Sequence, residues 1–318
     1  MRLAIVSPCY NEEELIKDSS IRLNEVVDNL ITKDKISSDS FILFVNDGST
    51  DKTWEEIIKM HSDFPRVCGM ALAGNVGHQS AIMAGMMSIR TLVDAIITID
   101  SDLQDDTNAI ETMIDEHLNG ADVVYGIKTD RRIDPWYKKL FAQLFYKIQG
   151  LLGVKSIKDH ADFRLMSRKV LDTLATYPER NIYLRGIIPL MGFKSIEIAD
   201  TLSPRIKGES KYIASKQLHL AIDGITSFST KPLEHIFVVG AVMMVIALLM
   251  FAYVVVSMVI GHVIAGWASI MISIWFIGAV LTMGMGLIGI YIGKIFMEVK
   301  QRPLYRIVEL VGIKIDEH

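Results

Sequence analysis

Short apolar runs, each closed by a cluster of polar residues, alternate with longer stretches of helical periodicity through the first 130 positions. The runs Leu3-Ala4-Ile5-Val6, Phe41-Ile42-Leu43-Phe44-Val45, residues 67–72, Ala95-Ile96-Ile97-Thr98-Ile99 and Asp122-Val123-Val124-Tyr125-Gly126 read as five buried strands. Between them, Leu15, Ile16, Leu23, Val26, Val27 and Leu30 recur at helical spacing, as do Trp54, Ile57, Ile58 and Met60. Ser49, Thr50 or Asp51 is suited to cap the second of these helices. A loop at Gly74-Asn75-Val76-Gly77-His78 leads into a third helix carrying Ile82, Met83 and Met86. Strands alternating with helices predict an α/β fold built on a mainly parallel, doubly wound sheet.

The pattern changes towards the C-terminus. Residues 236–292 contain no Lys, Arg, Asp or Glu, and their only titratable side chains are His262, Tyr253 and Tyr291. That stretch is too long for one span of roughly 20 residues and suits two, about 236–260 and 266–292, with Gly261-His262 and Ala265-Gly266 at the turn. Lys231 precedes the first span and Lys294, Lys300, Arg302 and Arg306 follow the second, whereas the turn has no Lys or Arg. The asymmetry predicts that both termini face the cytoplasm. The expected organisation is a cytoplasmic domain over 1–230, a transmembrane hairpin over 231–294 and a cytoplasmic tail over 295–318.

Two further stretches are candidates for the membrane surface. Trp136, Leu140, Phe141, Leu144, Phe145, Ile148, Leu151 and Leu152 form an apolar stripe within 135–153, with Lys138, Lys139 and Lys147 on other faces. Residues 213–229 carry Leu218, Leu220, Ile222 and Ile225 and run directly into the first span. Beside a transmembrane hairpin, these patterns suit helices lying in the interface. Composition agrees with a membrane protein: hydrophobic residues make up 50% of the chain and the mean hydropathy is +0.32. A net charge of −4 argues against a nucleic-acid partner. Cys9 and Cys68 offer neither a disulfide framework nor a metal spacing.

The candidate chemistry gathers where strands end. Asp100, Asp102 and Asp105, with Ser101 and Gln104, follow the fourth strand, and open α/β sheets bind ligands at such carboxyl ends. Crowded carboxylates repel one another unless a cation or hydrogen-bond donors offset them. A hard divalent ion shared with a diphosphate is the natural partner. An isolated D-x-D is more often a solvated turn before a helix, here one starting at Asp105-Asp106-Thr107. No G-x-G-x-x-G dinucleotide fingerprint follows the first strand, and no P-loop is present. Tyr10 is able to stack on a base and Asp47 to accept from base or ribose, although Asn46-Asp47-Gly48 is also a turn sequence in its own right.

Pro8-x-Tyr10-Asn11-Glu12, Asn46-Asp47-Gly48-Ser49-x-Asp51 and Asp100-x-Asp102-Leu103-Gln104-Asp105 resemble the motifs of inverting family-two glycosyltransferases of GT-A fold. With the hairpin, the chain resembles more narrowly the polyprenyl-phosphate branch, which includes dolichol-phosphate mannose synthases and bactoprenol glucosyltransferases. The resemblance implies that Pro8, Tyr10, Asn11, Glu12, Val45 and Asp47 hold the nucleotide, with Asp100 and Ser101 near the ribose. It implies that Asp102, with Asp100 and Gln104, engages Mg2+ or Mn2+ on the sugar-nucleotide diphosphate. Asp159-His160-Ala161-Asp162-Phe163-Arg164 is similar to a family segment whose acid faces the acceptor, making Asp162 the first candidate catalytic carboxylate and Asp159 the second. A lipid phosphate is already ionised near neutral pH, so Asp162 either orients the acceptor or takes a residual proton. Arg164 either binds phosphate or pairs with a nearby acid. Arg205, Lys207 and Lys211, in Arg205-Ile206-Lys207-Gly208-Glu209-Ser210-Lys211, match a basic family loop that neutralises phosphates; Lys128 and Arg131 are weaker candidates.

The activity so implied is transfer of a hexose from a nucleotide-diphosphate sugar, UDP-glucose first, to undecaprenyl or another polyprenyl phosphate at the bacterial inner membrane. UDP-N-acetylglucosamine and GDP-mannose are the alternative donors. A processive polysaccharide synthase would carry Gln-x-x-Arg-Trp, which is missing here, and a non-enzymatic nucleotide-sugar sensor would not need Asp162 together with the acidic cluster. Residues 304–310 alternate as a short strand, read as an assembly element of a possible homo-oligomer.

Overall fold

A computed structural model of the chain describes residues 1–128, 160–179, 183–200, 242, 245, 249, 252 and 266–315. They belong to two compact units, one holding the sheet and the segment from Arg302 onward, the other holding the long C-terminal helix.

In the first unit, strands β1 (Leu3–Cys9), β2 (Phe41–Asn46), β3 (Val67–Leu72), β4 (Ala95–Thr98), β5 (Val123–Lys128), β6 (His160–Ser167), β7 (Ser195–Asp200) and β8 (Ile307–Val311) form one eight-stranded sheet. Their order is β7-β5-β6-β4-β1-β2-β3-β8. Helices α1 (Ile16–Thr32), α2 (Thr53–Asp63), α3 (His78–Ile89) and α4 (Ala109–Leu118) cross between the early strands. Short helices α5 (Arg168–Leu174) and α6 (Leu184–Leu190) follow β6.

The central strands are buried along their whole length, which is why they read as continuous apolar runs rather than alternating ones. Leu3 and Ile5 of β1 and Ile42 and Phe44 of β2 join one core with Ile16, Leu23 and Val27 of α1, Ile57 of α2 and Ile110 and Met113 of α4. On the opposite face, Val6 and Val45 press on Gly85 of α3, where an added Cβ would lie 2.7 Å from Val6 and 2.8 Å from Val45.

Two strands depart from the parallel pattern. β1, β2, β3 and β4 are mutually parallel, but β6 is antiparallel to both β4 and β5. β6 therefore begins where β4 ends, and its first residues reach the edge at which the parallel strands open. The other exception is β8, which is antiparallel to β3 of the same chain, with Trp54 Nε1 donating to Glu309 at 2.9 Å. The strand expected over 304–310 is thus β8, which pairs with β3 of its own chain and forms the last strand of the sheet. Helix starts also shift: Lys52 holds the N-cap position of α2 without a side-chain cap bond, while Asp51 accepts from the Thr53 amide at 3.0 Å, and α4 begins at Ala109 after the left-handed Leu103.

In the second unit, α7 (Trp267–Lys300) is 34 residues long. Its segment Phe276–Lys300 is long and apolar enough to cross a membrane, and only 6% of its most hydrophobic window is buried within the protein. It is therefore not a core helix of this chain. The expected first span and both expected interface helices lie outside the described residues, apart from four isolated positions of the first span.

Candidate active site

The loops after β1 and β2 are tied together. Asn11, left-handed at φ 55°, accepts at its side-chain oxygen from the Thr50 amide at 2.9 Å, and its own amide donates to Ser49 Oγ at 3.0 Å. The Glu12 amide donates to Thr53 Oγ1 at 2.9 Å. Pro8 is aligned with Val45 across the two strands, both buried, while the Tyr10 ring stands exposed above them. Asn11 thus serves as a strut between the loops in this structure.

Asp47 is buried and reaches forward. Its two oxygens accept from the Val76 amide at 2.7 Å and the Gly77 amide at 3.0 Å. Burial pushes its carboxyl above the usual value, and those two amides partly offset the rise. Gly48 lets this loop come close: its φ is +65°, and a Cβ there would lie 2.4 Å from the Gly74 carbonyl carbon. Asp47 therefore fixes the turn that launches α3 and presents His78 at its first position.

The acidic cluster follows β4. The buried Ser101 carbonyl accepts from Ser19 Oγ at 2.6 Å, and Asp102 Oδ1 accepts from the Gln104 amide at 3.3 Å. Asp106 is held by Asp200 at the end of β7, through its amide at 2.9 Å. Among the described residues no three His, Cys, Asp or Glu side chains form a metal cluster. Two carboxylates and an amide at one loop fit an ion that takes its remaining ligands from a substrate diphosphate, rather than one enclosed by protein.

Antiparallel β6 sets Asp162 beside this cluster. Thr98, the last residue of β4, pairs with Arg164 in register, and its hydroxyl donates to the Asp162 carbonyl. The three residues between His160 and Arg164 stand opposite the single Gly126 of β5, because Tyr125 pairs with Arg164 and Ile127 with His160. Such a bulge re-aims side chains, and it needs Gly126: a Cβ there would lie 2.6 Å from the Phe163 ring.

The Asp162 carboxylate is 6% exposed and surrounded by donors. Arg164 Nη2 lies 2.5 Å from Oδ1, Arg185 Nη2 3.0 Å from Oδ2 and Arg185 Nε 3.3 Å from Oδ1. Gln79 Nε2 donates to both oxygens at 3.3 and 3.2 Å. Burial alone would raise its pKa, but Arg185, His78 and Arg164 outweigh that and hold the carboxyl well below the usual carboxylate range. His78 Nε2 stands 3.4 Å from Asp162 Oδ2 and 3.4 Å from Asp100 Oδ1, bridging the two acids. Burial would lower the His78 pKa, yet the bond to Asp162 and the charge of Asp100 leave it raised.

Asp100 and Asp162, predicted for two different jobs, are thus brought to one imidazole. Arg164, expected either on phosphate or on an acid, is 1% exposed and paired with Asp162. Asp159, Arg131, Arg205, Lys207 and Lys211 lie outside the described residues, as does the Lys128 side chain. His78, Gln79 and Arg185 were not singled out by sequence reasoning. Their only signal was polarity at the start of an apolar helix, and their partner is far away in the chain.

Residues 4–175 match the family described as Glycosyl transferase family 2. The uncharacterized glycosyltransferase YkoT of Bacillus subtilis is 45% identical over 96% of this chain and 90% of its own length. The bactoprenol glucosyl transferase of Shigella phage SfX is 35% identical over 96% of this chain and 99% of its own. A mannosyltransferase from Pyrobaculum calidifontis, solved with GDP-Man and Mn2+, superposes with a TM-score of 0.44 at 18% identity over 65% of this chain and 58% of that one. That likeness is too loose to add to the sheet itself. With a family match over more than half its length and relatives of at least 30% identity along nearly all of it, the chain belongs to glycosyl transferase family 2 and is a glycosyltransferase.

Proposed function

We propose that the protein transfers a hexose, glucose from UDP-glucose first, to a polyprenyl phosphate, by a metal-dependent, inverting single displacement. The observation that carries this reading is the pairing of Asp100 and Asp162 across β4 and β6, both within 3.4 Å of His78. A donor site and an acceptor site must meet at one anomeric carbon, and these are the two acids assigned to them. The similarity to the bactoprenol glucosyl transferase of phage SfX supports the lipid acceptor and the glucose donor. UDP-N-acetylglucosamine and GDP-mannose are the donors to test next.

In this reading Tyr10 packs on the base, while Pro8, Asn11, Glu12, Val45 and Asp47 shape the nucleotide crevice. Asp100, Asp102 and Gln104 would hold Mg2+ or Mn2+, which supplies charge neutralisation on the leaving diphosphate when bound. The acceptor phosphate oxygen attacks the anomeric carbon as the bond to the diphosphate breaks, inverting the configuration. Asp162 orients the acceptor side. Saturated with donors and held below the usual range, it is a poor base, and an ionised phosphate does not require one. Asp159, Lys128, Arg131, Arg205, Lys207 and Lys211 complete the assignment as further acid and phosphate ligands. The segment Phe276–Lys300, with a preceding span near 236–260, would anchor the enzyme in the inner membrane with the sheet on the cytoplasmic side, where the lipid phosphate is reached.

The test is sugar transfer from radiolabelled nucleotide sugars to undecaprenyl phosphate by the detergent-solubilised full chain with Mn2+ or Mg2+. A lipid-phosphate sugar is expected with UDP-glucose, lost on chelation and in Asp102→Asn. No lipid product from any common nucleotide sugar would sink the reading, and full activity of Asp102→Asn would remove that residue from the metal.

A further inference from the structure

The Asp162 carboxylate has more cationic partners than one negative charge requires. One carboxylate faces two guanidinium groups, Arg164 at 2.5 Å and Arg185 at 3.0 Å. The two arginines differ in access. Arg164 is closed in, 1% exposed, whereas the Arg185 side chain is 34% exposed at the first turn of α6. A guanidinium carries five N–H donors in a rigid fork. Arg185 turns Nε and Nη2 onto Asp162, which fixes the plane of the group and leaves Nη1 and the second Nη2 hydrogen for another anion. Gln79 holds the same constellation from two sides: it donates to Asp162 and its oxygen accepts from the Leu184 amide, next to Arg185, at 3.2 Å.

We propose that Arg185 binds the phosphate of the acceptor, and that Asp162 is the positioning residue that holds its guanidinium in place. The proposal rests on the reading of the protein as a polyprenyl-phosphate hexosyltransferase. Planar, two-pronged donors suit phosphate oxygens, and a fork already fixed by a buried carboxylate loses little freedom on binding. The acid on the acceptor side then has a task that needs its charge and no proton transfer. The other phosphate chemistry within the reaction is the donor diphosphate, and the experiment separates the two.

Steady-state kinetics of the full-length protein, varying undecaprenyl phosphate and nucleotide sugar in turn, supply the test. Arg185→Gln leaves Asp162 with Arg164, Gln79 and His78, so the fold has its remaining partners. It should raise the acceptor KM at least tenfold and move the donor KM less than twofold. Arg185→Lys, which keeps the charge without the fork, should fall between. Asp162→Asn should raise the same acceptor KM and add little to it when combined with Arg185→Gln, because coupled residues are not additive. An unchanged acceptor KM in Arg185→Gln overturns the assignment, as does a fall in kcat with both KM values held. A rise in the donor KM alone also overturns it and moves Arg185 to the diphosphate. If the wild type makes no lipid-phosphate sugar, the functional reading has failed and the assignment falls with it; if the wild type is active, failure belongs to Arg185 alone.

Discussion

A carboxylate with two arginines, a glutamine and a histidine around it is a structural anchor as well as a chemical group. Asp162 compensates the buried Arg164 charge at 2.5 Å, and removing one member of a buried pair costs about 3 kcal/mol or more. Asp162→Asn should therefore melt at lower temperature than wild type near neutral pH. The pH dependence has a definite sign. A folded-state pKa held below the ordinary 3.8 adds stability above the unfolded value and loses it as pH falls through the folded one. The gap between wild type and Asp162→Asn should be full above about pH 5 and narrow below 3.8, measured by melts across acid pH in detergent. A constant gap would remove the charge from the explanation. Asp162 was visible in the sequence as a candidate because Asp162-Phe163-Arg164 resembles a family segment. Its surroundings were not: Gln79 lies 83 positions away and Arg185 lies 23 away, a distance closed only by the fold.

At the scale of elements, the early strands could be read because burial on both faces leaves continuous apolar runs, and β1, β2 and β3 need nothing else. Direction was harder. β6 mixes apolar with charged residues, and nothing in its local pattern tells that it lies antiparallel between β4 and β5. The bulge at Gly126 is the local consequence. Replacing Gly126 by Ala puts a Cβ 2.6 Å from the Phe163 ring, and relief of such overpacking typically costs about 1–3 kcal/mol. Because Phe163 adjoins Asp162, the shift should reach the site. Gly126→Ala is expected to lower the melting temperature modestly and to reduce transfer more than tenfold, with donor binding retained. Equal activity in the variant and wild type would show that the bulge does not set the position of Asp162.

At the scale of the molecule, an apolar helix with an exposed surface has to be reconciled with a sheet proposed to bind polar substrates. Residue 300 ends α7 and residue 307 begins β8, and the proposed function puts the sheet on the cytoplasmic side of the membrane. The basic residues Lys294, Lys300, Arg302 and Arg306 favour the cytoplasm for the C-terminal end of α7. If a second span precedes, the turn near Gly266 must emerge on the opposite face. Single cysteines report this directly, and the native pair, Cys9 and Cys68, is buried and gives little background. Gly266→Cys should react with a membrane-impermeant maleimide in intact cells, and Glu25→Cys, on an exposed position of α1, only after lysis. Labelling of Glu25→Cys in intact cells would invert the orientation and place the sheet away from the nucleotide sugars of the cytoplasm. Labelling of both only after lysis would leave α7 on the membrane surface, since a crossing helix whose apolar segment is 25 residues long has to deliver one of its ends to the other side.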